Sequence, residues 1–229
     1  MLGVFDSGRG GLGALARLRA CLPDADVAYL ADTKHLPYGQ KSAEELLPLI
    51  ESGLWRLCSL GCEKILIACV TASSLHSRLP KELRHIAVPI VDAAADAAVR
   101  ATKNERIGIV ATERTVREGV LCRAIKDRSA TLCVTQGAAP SLVTLVEEGV
   151  LSPSDPRALR AVWQSLLPHL SANADTLVLG CTHFSALAPV FHRLCPHITL
   201  IPSGEVGADA FLSHLTDADK AGVGRTIYL

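Results

Sequence analysis

Aromatic side chains make up only 4% of the sequence, two Trp, three Tyr and four Phe in 229 residues. That is too few for a platform on which single-stranded bases stack. An excess of either charge is also missing: Lys plus Arg and Asp plus Glu both total 23, so nothing marks a polyanion-sized basic face. No stretch offers 18 nearly uninterrupted apolar residues, which argues against a membrane span. The opening Met1-Leu-Gly-Val-Phe-Asp6 lacks the basic start and long apolar run of a secretory signal. The 8 cysteines, at positions 21, 58, 62, 69, 122, 133, 181 and 195, form neither a dense disulfide framework nor a repeated CxxC pattern. We therefore expect a cytoplasmic, reducing setting, with no nucleic-acid or membrane partner. No metal is expected either, because Cys58 with Cys62, or Cys181 with His183, would need further ligands that spacing does not supply. Gly8-Arg-Gly-Gly lacks the Walker lysine and the full dinucleotide spacing, so a sharp turn is the simpler reading.

What is present is 49% hydrophobic residues with 17 Gly and 12 Pro, enough to bury a core. Short apolar runs alternate with longer helix-like stretches. Strands are expected at 2–5, 27–31, 64–68, 86–90, 106–111, 130–134, 176–179 and 198–201. Several are near-continuous Val, Ile and Leu, the pattern of parallel strands covered on both faces. Helices are expected near 11–21, 43–59, 72–79, 91–102, 114–126, 138–148, 157–170, 184–194 and 205–215. Ser154-Asp155-Pro156 makes a good helix start, with a side-chain cap and Pro in the first turn. The order is that of repeated βα units, an α/β fold with two similar three-layer lobes and mainly parallel sheets. The expected division is 1–92 with 202–229 in one lobe and 93–201 in the other.

Two strand-to-helix junctions share a design. One reads Lys64-Ile-Leu-Ile-Ala-Cys69-Val-Thr71-Ala-Ser73-Ser74, the other Asp175-Thr-Leu-Val-Leu-Gly-Cys181-Thr182-His183-Phe184. Each apolar strand ends in a small residue and a cysteine, then enters hydroxyl-bearing residues. Ligands in open α/β sheets bind beyond the carboxyl ends of strands. Helix-start amides there favour a thiolate or a bound carboxylate. One thiol on either side of a small molecule would support stereochemical inversion, one removing a proton and the other returning one. An ordinary cysteine titrates near 8.5, close enough to neutrality for modest shifts to matter. The alternative is that both are packing residues, the usual lot of a strand-end cysteine.

The local words then become informative together. Gly3-Val-Phe-Asp6-Ser7-Gly8-Arg-Gly10-Gly11-Leu12, Tyr29-Leu-Ala-Asp32 with Pro37-Tyr38-Gly39, and Ala68-Cys69-Val-Thr71-Ala72-Ser73 resemble the glutamate racemase family. So do Ala101-Thr-Lys-Asn-Glu-Arg-Ile-Gly-Ile-Val-Ala-Thr112 with Thr115, and Leu179-Gly-Cys181-Thr182-His183-Phe184. The ordered similarity runs over residues 3 to 204. The resemblance implies cofactor-independent interconversion of L- and D-glutamate through two catalytic cysteines, in two lobes around a central site. Cys69 would be the base toward D-glutamate and Cys181 toward L-glutamate, supplying D-glutamate for bacterial peptidoglycan and hence cell shape.

Around them, Asp6 could orient Cys69 or the substrate ammonium, and His183 could assist Cys181. Ser7, Pro37, Tyr38, Gly39, Val70, Thr71 and Thr182 are the expected substrate-binding positions, with Thr112 and Thr115 supporting the pocket. Simpler roles stay open: Asp6 and Ser7 as turn caps, His183 as a structural histidine, Pro37-Tyr38-Gly39 as a rigid turn. The expected partner is a small acidic amino acid, and the assembly considered is a homodimer. Val70 departs from the family motif, which normally has Asn there; an unpaired polar group left by that change costs about 1–3 kcal/mol. A racemase for another acidic amino acid such as aspartate, or a weakly catalytic glutamate-binding regulator, are the alternatives. Thr135-Gln136-Gly137-Ala138-Ala139-Pro140 and Ile201-Pro202-Ser203-Gly204 also differ from the family's words.

Overall fold

The computed structural model describes all residues, Met1–Leu229. The chain opens with β1 (Leu2–Asp6), α1 (Leu12–Cys21), β2 (Val27–Ala31) and α2 (Ala43–Ser59). It continues through β3 (Lys64–Ile67), α3 (Val70–Ser73), α4 (Lys81–Ile86) and β4 (Ala87–Pro89). Next come α5 (Val91–Ala101), β5 (Arg106–Ala111), α6 (Glu113–Glu118), α7 (Val120–Arg128) and β6 (Cys133–Ala138). Then follow α8 (Pro140–Glu147), α9 (Pro156–Ser171), β7 (Thr176–Gly180), α10 (Ala188–Leu194) and β8 (Thr199–Pro202). The last elements are α11 (Ser203–Leu212), α12 (Asp217–Lys220) and β9 (Thr226–Tyr228).

Two compact units result, Met1–Ile90 with Gly204–Leu229, and Val91–Ser203. The first holds a five-stranded sheet in the order β4-β3-β1-β2-β9. The second holds four strands in the order β6-β5-β7-β8. Every pairing is parallel. Read from the other edge, the second sheet is β8-β7-β5-β6, the same sequence of connections as β4-β3-β1-β2. In each, the direction of strand addition reverses beside the first strand, so the crevice at the ends of β1 and β3, and of β5 and β7, is where such sheets take ligands.

The central strands are buried along their whole length because both faces are covered: β1 and β7 expose nothing. In the first unit α2 starts with a capping box, Ser42 accepting from Glu45 N–H while Glu45 accepts from Ser42 N–H. Its Leu46, Ile50, Leu54 and Leu57, at helical spacing, enter a core that contains Phe5, Ile65 and Ile67. In the second unit α9 starts at Asp155, whose carboxylate accepts from Arg157 N–H, with Pro156 in its first turn. Val162 and Leu166 join Leu177, Leu179 and Phe191 in that unit's core.

Several local expectations need correction. The sixth strand lies at Cys133–Ala138, not 130–134, because this edge strand is half polar and carries no apolar run. The helix expected over 114–126 is two helices, divided at Gly119, whose φ of 59° caps the first in the left-handed conformation. The stretch 72–79 is one α turn followed by a 3-10 turn at His76–Arg78, and Lys81–Ile86 takes up part of the expected strand 86–90. In the stretch 184–194, a 3-10 turn over Thr182–Leu187 precedes α10, which has Pro in its first turn. The short edge strand β9 has no counterpart in the apolar pattern. No helix is long and apolar enough to cross a membrane.

Candidate active site

At the switch point of the first unit, parallel register places Phe5 beside Ile67, and Ala68 N–H donates to the Phe5 carbonyl at 2.8 Å. The next residues, Ser7 and Cys69, therefore leave the sheet side by side. Ser7 Oγ lies 3.4 Å from Cys69 Sγ, and both residues are buried. Asp6 is fully buried and accepts from Gly8 N–H at 2.9 Å, which also fixes the turn that follows β1. Burial pushes the Cys69 thiol up to about 11; the Asp6 charge adds to this, while hydrogen bonds from Ser7 and from the Ala72 and Ser7 backbone oppose it. At neutral pH Cys69 is a thiol.

Tyr38 is buried, with its hydroxyl donating to Asp32 Oδ2 at 2.6 Å. Burial foremost, and then the Asp32 hydrogen bond, keep its phenol protonated; the Asp6 charge, and that of Cys69 once ionised, act in the same direction. Those last two effects show that Tyr38 shares the electrostatic neighbourhood of the thiol. Pro37 is exposed and Gly39 buried on the same loop. Val70 and Thr71 open α3 and are buried. Ser73 Oγ, which donates to the Ile67 carbonyl and accepts from Ile90 N–H, ties that turn to the ends of β3 and β4.

The second unit repeats the arrangement with different chemistry. Ala111 pairs with Gly180, so Thr112 and Cys181 stand one step beyond adjacent strand ends, in the positions of Ser7 and Cys69. Thr112 caps α6, accepting from Thr115 N–H and donating to Thr115 Oγ1 at 3.0 Å. Cys181, Thr182 and His183 are buried. His183 Nδ1 lies 3.7 Å from Cys181 Sγ, and His183 Nε2 lies 2.6 Å from Glu147 Oε1. A carboxylate only accepts, so Nε2 carries a hydrogen, and Nδ1 is the ring nitrogen that faces the Cys181 sulfur and can exchange a proton with it. The set can draw the proton from Cys181 onto an imidazole whose charge Glu147 supports.

Sequence reasoning missed Glu147. It ends α8, 36 residues from His183, and only the packing of that helix reveals it. The structure gathers Asp6, Ser7, Tyr38 and Cys69 in the first unit, and Cys181 and His183 in the second; Cys21 and Cys133 are exposed and belong to neither set. All 8 cysteines are free thiols, and no group of three or more His, Cys, Asp or Glu could hold a metal ion.

The Asp/Glu/Hydantoin racemase profile matches residues 18–211. Glutamate racemase of Desulforudis audaxviator is 40% identical over 202 residues, covering 87% of this chain and 73% of the relative. Among solved structures, glutamate racemase isoform RacE1 of Bacillus anthracis superposes with a TM-score of 0.85 at 27% identity, over 100% of this chain and 86% of that one. Escherichia coli glutamate racemase, solved with L-glutamate and the activator UDP-MurNAc-Ala, gives 0.75 at 28% identity, over 93% and 81%. With two sheets of the same parallel topology, a thiol at each switch point and this extent of likeness, the chain is a racemase and belongs to the glutamate racemase family, within the Asp/Glu/Hydantoin racemases.

Proposed function

We propose that the chain interconverts L- and D-glutamate without a cofactor, by proton transfer through Cys69 and Cys181, and so supplies D-glutamate for peptidoglycan in the cytoplasm. One observation carries the reading: each unit ends the same strand of the same topology in a buried cysteine, at the point where an open α/β sheet binds ligands. The two environments suit two different starting states. Cys69, its thiol raised by burial and by Asp6, begins as the acid. Cys181, beside an imidazole nitrogen whose ring is backed by Glu147, begins as the base. In the L-to-D direction Cys181 takes the α-proton of L-glutamate and Cys69 delivers one to the other face. The reverse direction starts with the roles exchanged.

The α-proton is far less acidic than a thiol, so donors must stabilise charge on the substrate carboxylate as the carbanion forms. Ser7, Thr71 and Thr182, with the Tyr38-Gly39 loop, are assigned to hold the ammonium and carboxylates. Pro37 shapes that loop, and Thr112 with Thr115 braces the turn beside Cys181. Asp6 fits the substrate ammonium, whose charge would offset its repulsion of the Cys69 thiolate. Val70 gives the substrate an apolar wall. The relatives' names and the L-glutamate held by the Escherichia coli enzyme favour glutamate over shorter acids.

The test is incubation of the protein in deuterated water with each enantiomer of glutamate and of aspartate, followed by chiral analysis and α-deuterium counting. Deuterated product of inverted configuration from both glutamates is expected. Inversion of aspartate alone would reassign the substrate. Binding of glutamate without exchange would replace catalysis with a regulatory role.

A further inference from the structure

Asp32 begins the loop that follows β2, and its backbone N–H donates to the Asp6 carbonyl at 3.0 Å, so it stands beside the strand that carries Asp6. Its carboxylate receives two side chains. Tyr38 Oη donates to Oδ2 at 2.6 Å, and His35 Nδ1 lies 2.7 and 2.9 Å from Oδ1 and Oδ2. Because a carboxylate only accepts, His35 Nδ1 bears the hydrogen. The three groups form a chain from Tyr38, which is 2% exposed and lies in the same buried core as Cys69, to His35, whose side chain is 38% exposed. Outward, His35 lines a cavity of about 270 Å³ shared with Lys34, Ser52 and Arg56. Tyr38 also packs on Phe5, ring centroids 6.5 Å apart and planes tilted by 48°, while its hydroxyl donates to Asp32.

We propose that His35 is a positioning residue: by donating to Asp32 it orients that carboxylate toward Tyr38, and so holds the Pro37-Tyr38-Gly39 loop against Cys69 for substrate binding. This rests on the racemase reading for its effect on turnover, but its effect on the loop is independent of it. Without the His35 donor, Asp32 is free to rotate and Tyr38 loses the fixed acceptor that sets its place.

Three proteins decide the matter: the unaltered enzyme, His35→Leu, which removes the donor, and His35→Asn, whose amide can donate from near the Nδ1 position. Two readouts are made on each. The first is glutamate racemisation, as kcat and KM; the second is peptide-resolved alkylation of Cys69 by iodoacetamide without substrate. In His35→Leu we expect KM to rise about tenfold with kcat nearly unchanged, the signature of lost substrate positioning. Cys69 alkylation should quicken severalfold as the loop loosens, and His35→Asn should restore both values. Unchanged KM and alkylation in His35→Leu, or an Asn variant as impaired as Leu, overturns the proposal. If the unaltered enzyme leaves glutamate untouched, the substrate reading fails, while the alkylation rates still decide the role of His35.

Discussion

β3 and β7 hold the same place in sheets of the same topology, yet the thiols at their ends have different company. Cys69 meets a serine hydroxyl and the charge of a fully buried carboxylate. Cys181 meets an imidazole whose far nitrogen is bound to a glutamate. A shared backbone plan thus carries two thiols with different neighbours, and on the proposed mechanism these suit Cys69 to start as the acid and Cys181 as the base. On the proposed mechanism the face each thiol occupies decides which enantiomer it deprotonates, and the inequality of their surroundings decides how much of each protonation form is present. A pair of identical thiol environments would populate the two forms equally.

The comparison breaks most sharply at the cysteines. Cys69→Ala and Cys181→Ala should each lower racemisation by about a thousandfold or more, the scale of losing a positioned acid or base. They should not behave alike. With Cys181 alone, slow α-deuterium exchange is expected in L-glutamate with retained configuration; with Cys69 alone, in D-glutamate. Nuclear magnetic resonance of each incubation checks this. Exchange of both enantiomers by a single-cysteine variant would mean that the two thiols are not face-specific.

The strands that carry the cysteines were legible because β1, β3 and β7 are buried on both faces and therefore read as unbroken apolar runs. The cysteines, Asp6, Ser7, Tyr38 and His183 were legible as candidates because each sits in a short word at a strand end or in the loop after β2. What pattern could not show is what chain folding alone brings together. Glu147 reaches His183 across 36 residues, and nothing in the pair Glu147-Glu148 marks one carboxylate as different from the other. β6 was misplaced because Thr135 and Gln136 make it look like a loop, and Gly119 divides a helix whose apolar spacing runs through the break.

A second contrast lies in acid tolerance. The second unit buries His169 completely beneath its sheet, where Gly108 and Gly137 leave room for the ring and Thr135 Oγ1 lies 2.8 Å from Nδ1. Burial lowers its pKa to about 4. An unfolded histidine titrates near 6.5, so the unfolded chain binds this proton first. The stabilising contribution is complete above pH 6.5 and disappears as pH falls through 4, about 3 kcal/mol in all. The first unit buries no histidine. Hydrogen exchange at pH 7 and pH 5 should show residues 91–203 losing protection before residues 1–90. Equal loss in both would remove His169 as the cause.

The neighbours of the thiols sharpen the original contrast at smaller cost. Glu147→Gln keeps a polar group against His183 but removes the charge that supports an imidazolium, and should lower kcat about 30-fold, or ~2 kcal/mol. Ser7→Ala removes a neutral hydroxyl from Cys69 and should cost about tenfold. The order matters more than either value. Were Ser7→Ala the more damaging, the assignment of Cys181 as the more strongly assisted thiol would be reversed.

The smallest effects test whether the helices inside each unit are capped in equivalent ways. Each long helix ahead of a cysteine-bearing strand begins with a side-chain cap, Ser42 on α2 and Asp155 on α9. The first cap is reciprocal: Ser42 Oγ accepts from Glu45 N–H at 3.2 Å, and Glu45 Oε2 accepts from Ser42 N–H at 2.7 Å. The second is one-sided toward the helix, and Asp155 also meets the exposed Arg157 guanidinium. Replacing either capping residue by Ala leaves a first-turn amide to water and should cost about 1 kcal/mol. Salt separates the two, because the Ser42 hydroxyl is neutral whereas the Asp155 carboxylate acts partly through charge on the helix dipole and on Arg157. In urea titrations the Ser42→Ala penalty should therefore persist at 1 M salt, while part of the Asp155→Ala penalty disappears. Equal penalties at low and high salt would show that Asp155 works as a hydrogen-bonding cap alone, as Ser42 does.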